Sequence, residues 1–333
     1  MAIPVILDVD TGLDDACALL LAALHPDLDL RAVTCVAGNA DVDQVVRNTQ
    51  VVLAAAGRHE VPVARGATRP LLEPARPARH VHGEDGLGDL DHAALGLPTE
   101  PAEVDQRHAV ELLRDELLAA VSAGEPVILV PLGPLTNIAL LLRSYPETAK
   151  GLARIVFMGG AAAVGNATAA AEFNVWHDPE AAAIVLDAAR ELQVPVTMYG
   201  LDVFYDVRIT LDEADLLLAM QQPAGRLAGA LIRAQCERFA ATSATIGDAG
   251  AVCAVLDPAG LTTASLAVHV ELAGARTRGQ TVVDQRQWVG DLDHDPHGIP
   301  PTQVDVALGV DGERWRALWL AAVGRSGSGD TGR

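Results

Sequence analysis

The sequence predicts a single α/β domain: a central, mostly parallel β-sheet flanked by helices. Three observations carry this. Apolar runs that do not alternate recur along the chain and are separated by helical patterns, as expected for parallel strands buried on both faces. Half of the residues are hydrophobic but only 3% are aromatic, so the core is layered from Ala, Val and Leu. At 333 residues the chain can bury a large core, and no composition shift or internal repeat marks a linker.

The elements follow in order. IPVILDV (3–9) reads as a buried strand and LDDACALLLAAL (13–24) as the helix after it. LRAVTCVAG (30–38) reads as a second strand, followed by the helix DVDQVVRNTQVVLAAAG (41–57). The alternation returns in EPVILVPLG (125–133) with PLTNIALLLRSY (134–145), in ARIVFMGG (153–160), and in DPEAAAIVLDAAR (178–190) with VPVTMYGLDV (194–203). Residues 75–103 break the rhythm. They are long, rich in Gly, Pro and His, and aperiodic, which predicts a functional flap or, more plainly, a surface insertion. GRSGSGDTGR (324–333) reads as a disordered tail, so the folded domain is expected over residues 1–323.

A formal charge of −20 and a pI near 4.7 repel phosphate backbones and anionic lipid, so neither a nucleic-acid polymer nor a membrane is an expected partner. The four cysteines form no CxxC pair and no zinc-finger spacing, and read as buried thiols of a reducing compartment. MAIPVILDVD has no basic region and turns acidic at once, so it is expected to be a first strand and not a signal peptide. A cytoplasmic location follows as the expectation.

ILDVDTGLDDA places Asp8, Asp10, Asp14 and Asp15 within eight residues, between two apolar runs. Like charges this close oppose each other's ionisation, and buried charge is costly. On a strand, Asp8 and Asp10 point to one side, and Gly12 lets the chain turn into a helix near Asp14. The acids then crowd the carboxyl end of a strand, where ligands bind in open α/β sheets. An oxygen-rich site suits a hard divalent cation. Capping of the following helix would account for Asp14 or Asp15 singly, but leaves Asp8 and Asp10 unexplained. A second reading starts from LDVDTGL, which is near the hhhDxDGT pattern of haloacid-dehalogenase-like aspartyl phosphatases. Here Thr and Gly are exchanged, and no later Ser/Thr, Lys and paired-Asp set completes the pattern.

Further stretches decide between these. VHGEDGLGDL (81–90), LVPLGPLTNIA (129–139), FMGGAAAVGNATAAAEFNVWHDPEAA (157–182) and LAGARTRGQTVVD (272–284), together with DVDTGLDDA and Gly38-Asn39, closely resemble the nucleoside hydrolase family of the inosine-uridine-preferring type. The matching segments run in order from residue 3 to about residue 284.

The resemblance implies calcium-dependent hydrolysis of the N-glycosidic bond of ribonucleosides, giving free base and ribose. It implies metal ligands at Asp10, Asp15, the main-chain carbonyl of Leu132 and Asp248, with Asp10 also the general base for the attacking water. It places Asp14, Asn39 and Asn174 around the ribose diol, Asn166 and Glu172 toward the 3′ and 5′ side, and Met158 beneath the sugar. Asp8 is expected to support the others from behind. A homodimer or homotetramer is the implied assembly. A third reading keeps the nucleoside site without turnover.

One position departs from the pattern. Where well-known inosine-uridine members carry a His directly before the metal-binding Asp, this chain has Gly247. Either another residue protonates the base, or the chain favours a base that leaves easily, or its substrate is unusual; His82 in the flap, with His80 beside it, is the candidate to contact the leaving base, because His titrates near neutral pH. Trp176 and Tyr205 have two readings, as lining of the base pocket with Trp176 stacking on the base, or as core or subunit-contact residues; the second is preferred and both stay outside the expected site.

Overall fold

A computed structural model describes residues 2–98, 104–286 and 300–325. Most of the expected tail lies outside the described residues. The strands are β1 (Ile3–Val9), β2 (Leu28–Cys35), β3 (Val63–Arg65), β4 (Val104–Asp105), β5 (Val127–Pro131), β6 (Leu152–Met158), β7 (Val196–Tyr199), β8 (Arg208–Thr210), β9 (Ser243–Thr245), β10 (Leu261–Val270), β11 (Thr281–Asp284) and β12 (Thr302–Val310). Ten of them form one sheet in the order β11-β10-β12-β7-β6-β5-β1-β2-β3-β4. All pairings from β4 through to β12 are parallel; β10 joins β12, and β11 joins β10, antiparallel at one edge. β8 and β9 form a separate antiparallel pair.

The strand order explains where a ligand can enter. From β1 the chain steps outward to β2, β3 and β4, then returns to place β5 on the other side of β1. The crossovers on the two sides lead away from each other, which opens a crevice beyond the carboxyl ends of β1 and β5. Asp8, Asp10 and Leu132 are at that crevice, and it is closed at its base by the Leu132 N–H donating to the Asp8 carbonyl at 2.7 Å.

Period-two alternation along β1 divides its side chains between the two faces. Val5, Leu7 and Val9 join the core beneath helix Leu13–Leu24, while Ile6 joins the core under helices Ala109–Ala123 and Thr136–Ser144. Helix Leu13–Leu24 is buried on nearly all sides, because helices Val42–Ala55, Pro223–Arg238 and Ala249–Leu256 pack around it. Its apolar circumference is therefore a consequence of position, and its N-terminus is held rigidly at the crevice.

The described part of the flap contains only the short helix Arg79–His82. It is tied down where it crosses the crevice: the Ala78 N–H donates to the Asn39 carbonyl at 3.1 Å. No helix among the described residues is long and apolar enough to cross a membrane. All four cysteines are free and buried.

Candidate active site

The acidic segment leaves β1 and enters helix Leu13–Leu24 through Gly12. The backbone there is extended (φ −102°), a conformation open to any residue, so the glycine is not required for a turn. It is required for space, since a methyl group would press on His82 Nδ1 and lie 2.8 Å from Asn39 Nδ2. Asp15 does serve the helix terminus, accepting from the N–H of Gly12 at 2.9 Å and of Asp10 at 3.2 Å. The same carboxylate also accepts from Asn39 Nδ2 at 3.2 Å. Capping and clustering are thus properties of one side chain.

Asp10 is held by the Asn39 N–H, which donates to Oδ2 at 2.7 Å. Its other oxygen, Oδ1, is buried with no hydrogen-bond partner. Gly38 and Gly133 pack directly against this carboxylate; a methyl group on Gly133 would stand 2.8 Å from Oδ1 and one on Gly38 would collide with Oδ2. Asp8 lies behind, its Oδ1 accepting from Thr34 Oγ1 at 2.6 Å and Asn137 Nδ2 at 2.8 Å. Asp248 arrives from the far end of the sequence, at the start of helix Ala249–Leu256. Ligand oxygens of Asp14, Asp15 and Asp248 all lie within 4.8 Å of one another, a group that could hold a metal ion. Asp10 stands beside this triplet, joined to it through Asp15.

The electrostatics of the cluster are unbalanced. Burial pushes the Asp8 and Asp15 carboxyls up to about 7, with the neighbouring Asp14 charge adding to the effect at Asp15. Burial and then the Asp15 charge hold Asp10 well above the usual carboxylate range, and burial with the Asp14 and Asp15 charges does the same to Asp248. Among the described residues no Lys or Arg pairs with any of these acids; His82 Nδ1 is 3.7 Å from Asp14, but burial lowers the imidazole's pKa and so favours its neutral form. Geometry and donor chemistry, all oxygen, together fit a hard divalent cation.

A pocket of about 540 Å3 opens above the cluster. Of the residues expected from sequence, Asp14, Asn39, His82, Leu132, Met158, Asn166, Glu172, Asn174 and Asp248 line it, while Asp10 and Asp15 lie buried under its floor. Asn174 braces the floor, its Nδ2 donating to the carbonyls of Leu132 at 2.6 Å and Met158 at 3.1 Å. Glu172 caps helix Phe173–His177 by accepting from the N–H groups of Asn174 and Val175, and also accepts from Gly160 N–H at 2.9 Å. Burial raises its carboxyl to about 7. Asn166 Oδ1 accepts from the Phe173 N–H at 2.8 Å. His82 Nδ1 accepts from the Leu13 N–H at 3.2 Å.

The far end of the pocket lies outside the expected set of site residues. Trp176 and Tyr205, read from sequence as core or contact residues, line it; Tyr205 is 46% exposed. Phe204, Arg208, Gln235, Phe239 and Thr245 join them. These come from the short helix Leu201–Phe204, β8, β9 and the helix Pro223–Arg238 with the Phe239 that follows it, which meet only in the folded chain, and none carries a local motif. Thr245 was the most accessible of them to sequence reasoning, two residues before the recognised Gly247-Asp248 pair.

Comparison with known proteins identifies the family. Residues 5–317 match the family model of inosine-uridine preferring nucleoside hydrolases. A pyrimidine-specific ribonucleoside hydrolase, RihA, of Shewanella sp. (strain MR-7) is 39% identical over 317 residues, 93% of each chain. Among solved structures, the plant nucleoside hydrolase PpNRh1 matches with a TM-score of 0.83 and 31% identity, over 97% of this chain and 99% of that one. A purine-preferring ribonucleoside hydrolase from Gardnerella vaginalis matches with a TM-score of 0.82 and 28% identity, over 96% and 98%. The fold, the ordered motifs and the extent of these matches place the chain in the inosine-uridine preferring nucleoside hydrolase family.

Proposed function

We propose that this chain cleaves the N-glycosidic bond of ribonucleosides at a bound calcium ion, with Asp10 taking the proton of the attacking water. The observation that carries the reading is a buried carboxylate cluster with which, among the described residues, no Lys or Arg pairs, and in which Asp10 Oδ1 has no partner. Asp10, Asp15, Asp248 and the Leu132 carbonyl are the proposed holders of the ion, a donor set that calcium accepts. When bound, the cation supplies the charge that balances these acids and makes a nearby water easier to deprotonate.

The protein's own residues do the rest. Asn39 fixes Asp10 by one oxygen and leaves the other to receive a proton. Asp14, Asn39 and Asn174 orient the ribose diol, Asn166 and Glu172 address its 3′ and 5′ side, and Met158 packs beneath. The fixed carboxylates favour the positive charge that develops on the sugar as the bond to the base stretches. His82 contacts the leaving base through Nε2, its Nδ1 being taken by Leu13.

The printed names of the relatives span pyrimidine and purine preferences, and the pyrimidine-specific relative is the more similar in sequence, so uridine and cytidine are the first substrates to try. A catalytic unit over residues 1–323, a cytoplasmic location and a homodimer or homotetramer belong to the same proposal. The test is incubation of the calcium-loaded protein with uridine, cytidine, inosine and adenosine, assayed for reducing sugar. Release from at least one of them is expected; release from none, with phosphate released from a phosphomonoester instead, would favour the phosphatase reading.

A further inference from the structure

The acid cluster does not explain how the base leaves. Breaking a C–N bond requires the departing nitrogen to be protonated or to carry the bonding electrons away as an anion. Resting on the hydrolase reading above, we infer that this chain uses the second route and so selects ribosides whose bases are good anionic leaving groups.

The inference starts at Gly247. Its φ of +54° is left-handed, and a methyl group there would lie 2.5 Å from Asp14 Cβ and 2.9 Å from Phe204 Cζ. The turn is locked: the Gly247 N–H donates to Thr245 Oγ1 at 3.0 Å, and Thr245 Oγ1 donates to the Phe204 carbonyl at 2.6 Å. No side chain fits directly before Asp248. The Phe204 ring takes that space, set edge-on to Tyr205 with centroids 5.0 Å apart.

Of the polar side chains beyond it, the Tyr205 phenol is held above its ordinary pKa by burial, which makes it a poorer acid, while Arg208 and Gln235 donate hydrogen bonds and have no proton to transfer. Arg208 is held by Ser243, its Nε donating to Oγ at 2.9 Å and its Nη2 to the carbonyl at 2.8 Å. Among the described residues no carboxylate pairs with it. Gln235 Nε2 is buried without a partner. A guanidinium and a carboxamide steady an anion without protonating it. His82 accepts a backbone N–H at Nδ1, which leaves its single ring proton on Nε2 and makes it a contact, not an acid.

The step balances. The water oxygen bonds to the anomeric carbon, its proton passes to Asp10, and the C–N electron pair departs with the base. Asp10 then loses its proton to solvent, and the base anion gains one there.

The experiment measures single-turnover hydrolysis of 5-fluorouridine, uridine, 5-methyluridine and p-nitrophenyl β-D-ribofuranoside by the calcium-loaded full chain. Rates are expected to rise as the leaving-group pKa falls, on the order of several-fold per unit, with the p-nitrophenyl riboside fastest. Phe204→His, which returns an imidazole beside residue 247, is expected to raise uridine turnover relative to the p-nitrophenyl riboside by roughly tenfold or more. In titration calorimetry, Arg208→Met is expected to weaken binding of the 5-fluorouracil anion by about tenfold while ribose binding holds. Equal rates on the three uridines, within about twofold, would overturn the inference, as would a steep dependence that appears only in His80→Ala. No release from any riboside would instead overturn the hydrolase reading itself.

Discussion

Asp10→Asn should move stability and activity in opposite directions. The substitution is isosteric, and the amide oxygen can keep the 2.7 Å bond from the Asn39 N–H. What it removes is a buried charge whose second oxygen has no partner and which faces the Asp15 carboxylate. Two like charges about 4 Å apart repel by about 4 kcal/mol at the effective dielectric typical of protein sites. Shared protons relieve part of this, so about 2–3 kcal/mol is the expected gain in chelator at pH 8. For a chain of this size that is a rise in Tm of roughly 3–4 °C.

Calcium should reverse the order. At a thousandfold excess over Kd the native protein gains about 4 kcal/mol, whereas Asp10→Asn, short of one anionic ligand, gains far less. Turnover should fall by at least about 100-fold, the usual loss when a general base is removed. Thermal melts of both proteins in EDTA and in calcium, with single-turnover uridine hydrolysis, give all three readings. A lower Tm than native in EDTA would refute the idea that Asp10 is an uncompensated charge. Turnover within about tenfold of native would refute its role as base.

Other consequences are simpler to state. With folded pKa values of about 7 at Asp8, Asp15 and Glu172, all raised above their unfolded values, the chelated protein should be most stable near pH 4–5 and lose stability as pH rises through 7; calcium should flatten that slope in melts across pH. His177 is the opposite case: burial, with Arg76 nearby, lowers it to about 4, so its contribution is present above pH 6.5 and lost as pH falls toward 4, and His177→Phe should blunt that limb. Asn174→Ala removes the donor to the Leu132 and Met158 carbonyls and should weaken calcium binding by about 10-fold or more in calorimetry. Tyr199→Phe deletes a buried hydroxyl without a partner and should leave Tm equal or raise it, since an unsatisfied buried group costs about 1–3 kcal/mol.

The half of the site nearest β1 was legible because its chemistry is local in sequence. Asp8, Asp10, Asp14 and Asp15 follow one apolar strand, and period two with a helix start is enough to put them at its tip. Asn39, just past β2, is assigned only through the family pattern, because an Asn in a loop reads equally as turn chemistry. Asp248 and Leu132 needed the family pattern, since nothing in GDAGAVC or PLGPLTN points toward residue 10. Trp176 and Tyr205 show the limit: a lone aromatic has no period, and its direction depends on elements far away in the chain. Gly12 was noticed for the wrong property, conformational freedom, when the folded chain uses its lack of a side chain to bring His82 and Asn39 close.

Gly247 shows the same limit with a larger consequence. Against the family pattern it reads as a deletion: an imidazole is missing, so either another residue takes its place or the base leaves easily without one. The geometry turns that around, because Phe204 and Asp14 leave no volume for any side chain there and Thr245 fixes the turn that excludes one. Restoring the family residue by Gly247→His should therefore fail to add activity. It should instead push on Asp14 and Phe204 and force a β-carbon into a left-handed backbone, at a cost of about 1–2 kcal/mol for the backbone alone. The variant should melt lower than native in calcium and hydrolyse uridine more slowly. If it melts normally and turns over faster, position 247 is open, and the aromatic end of the pocket is not what excludes an acid.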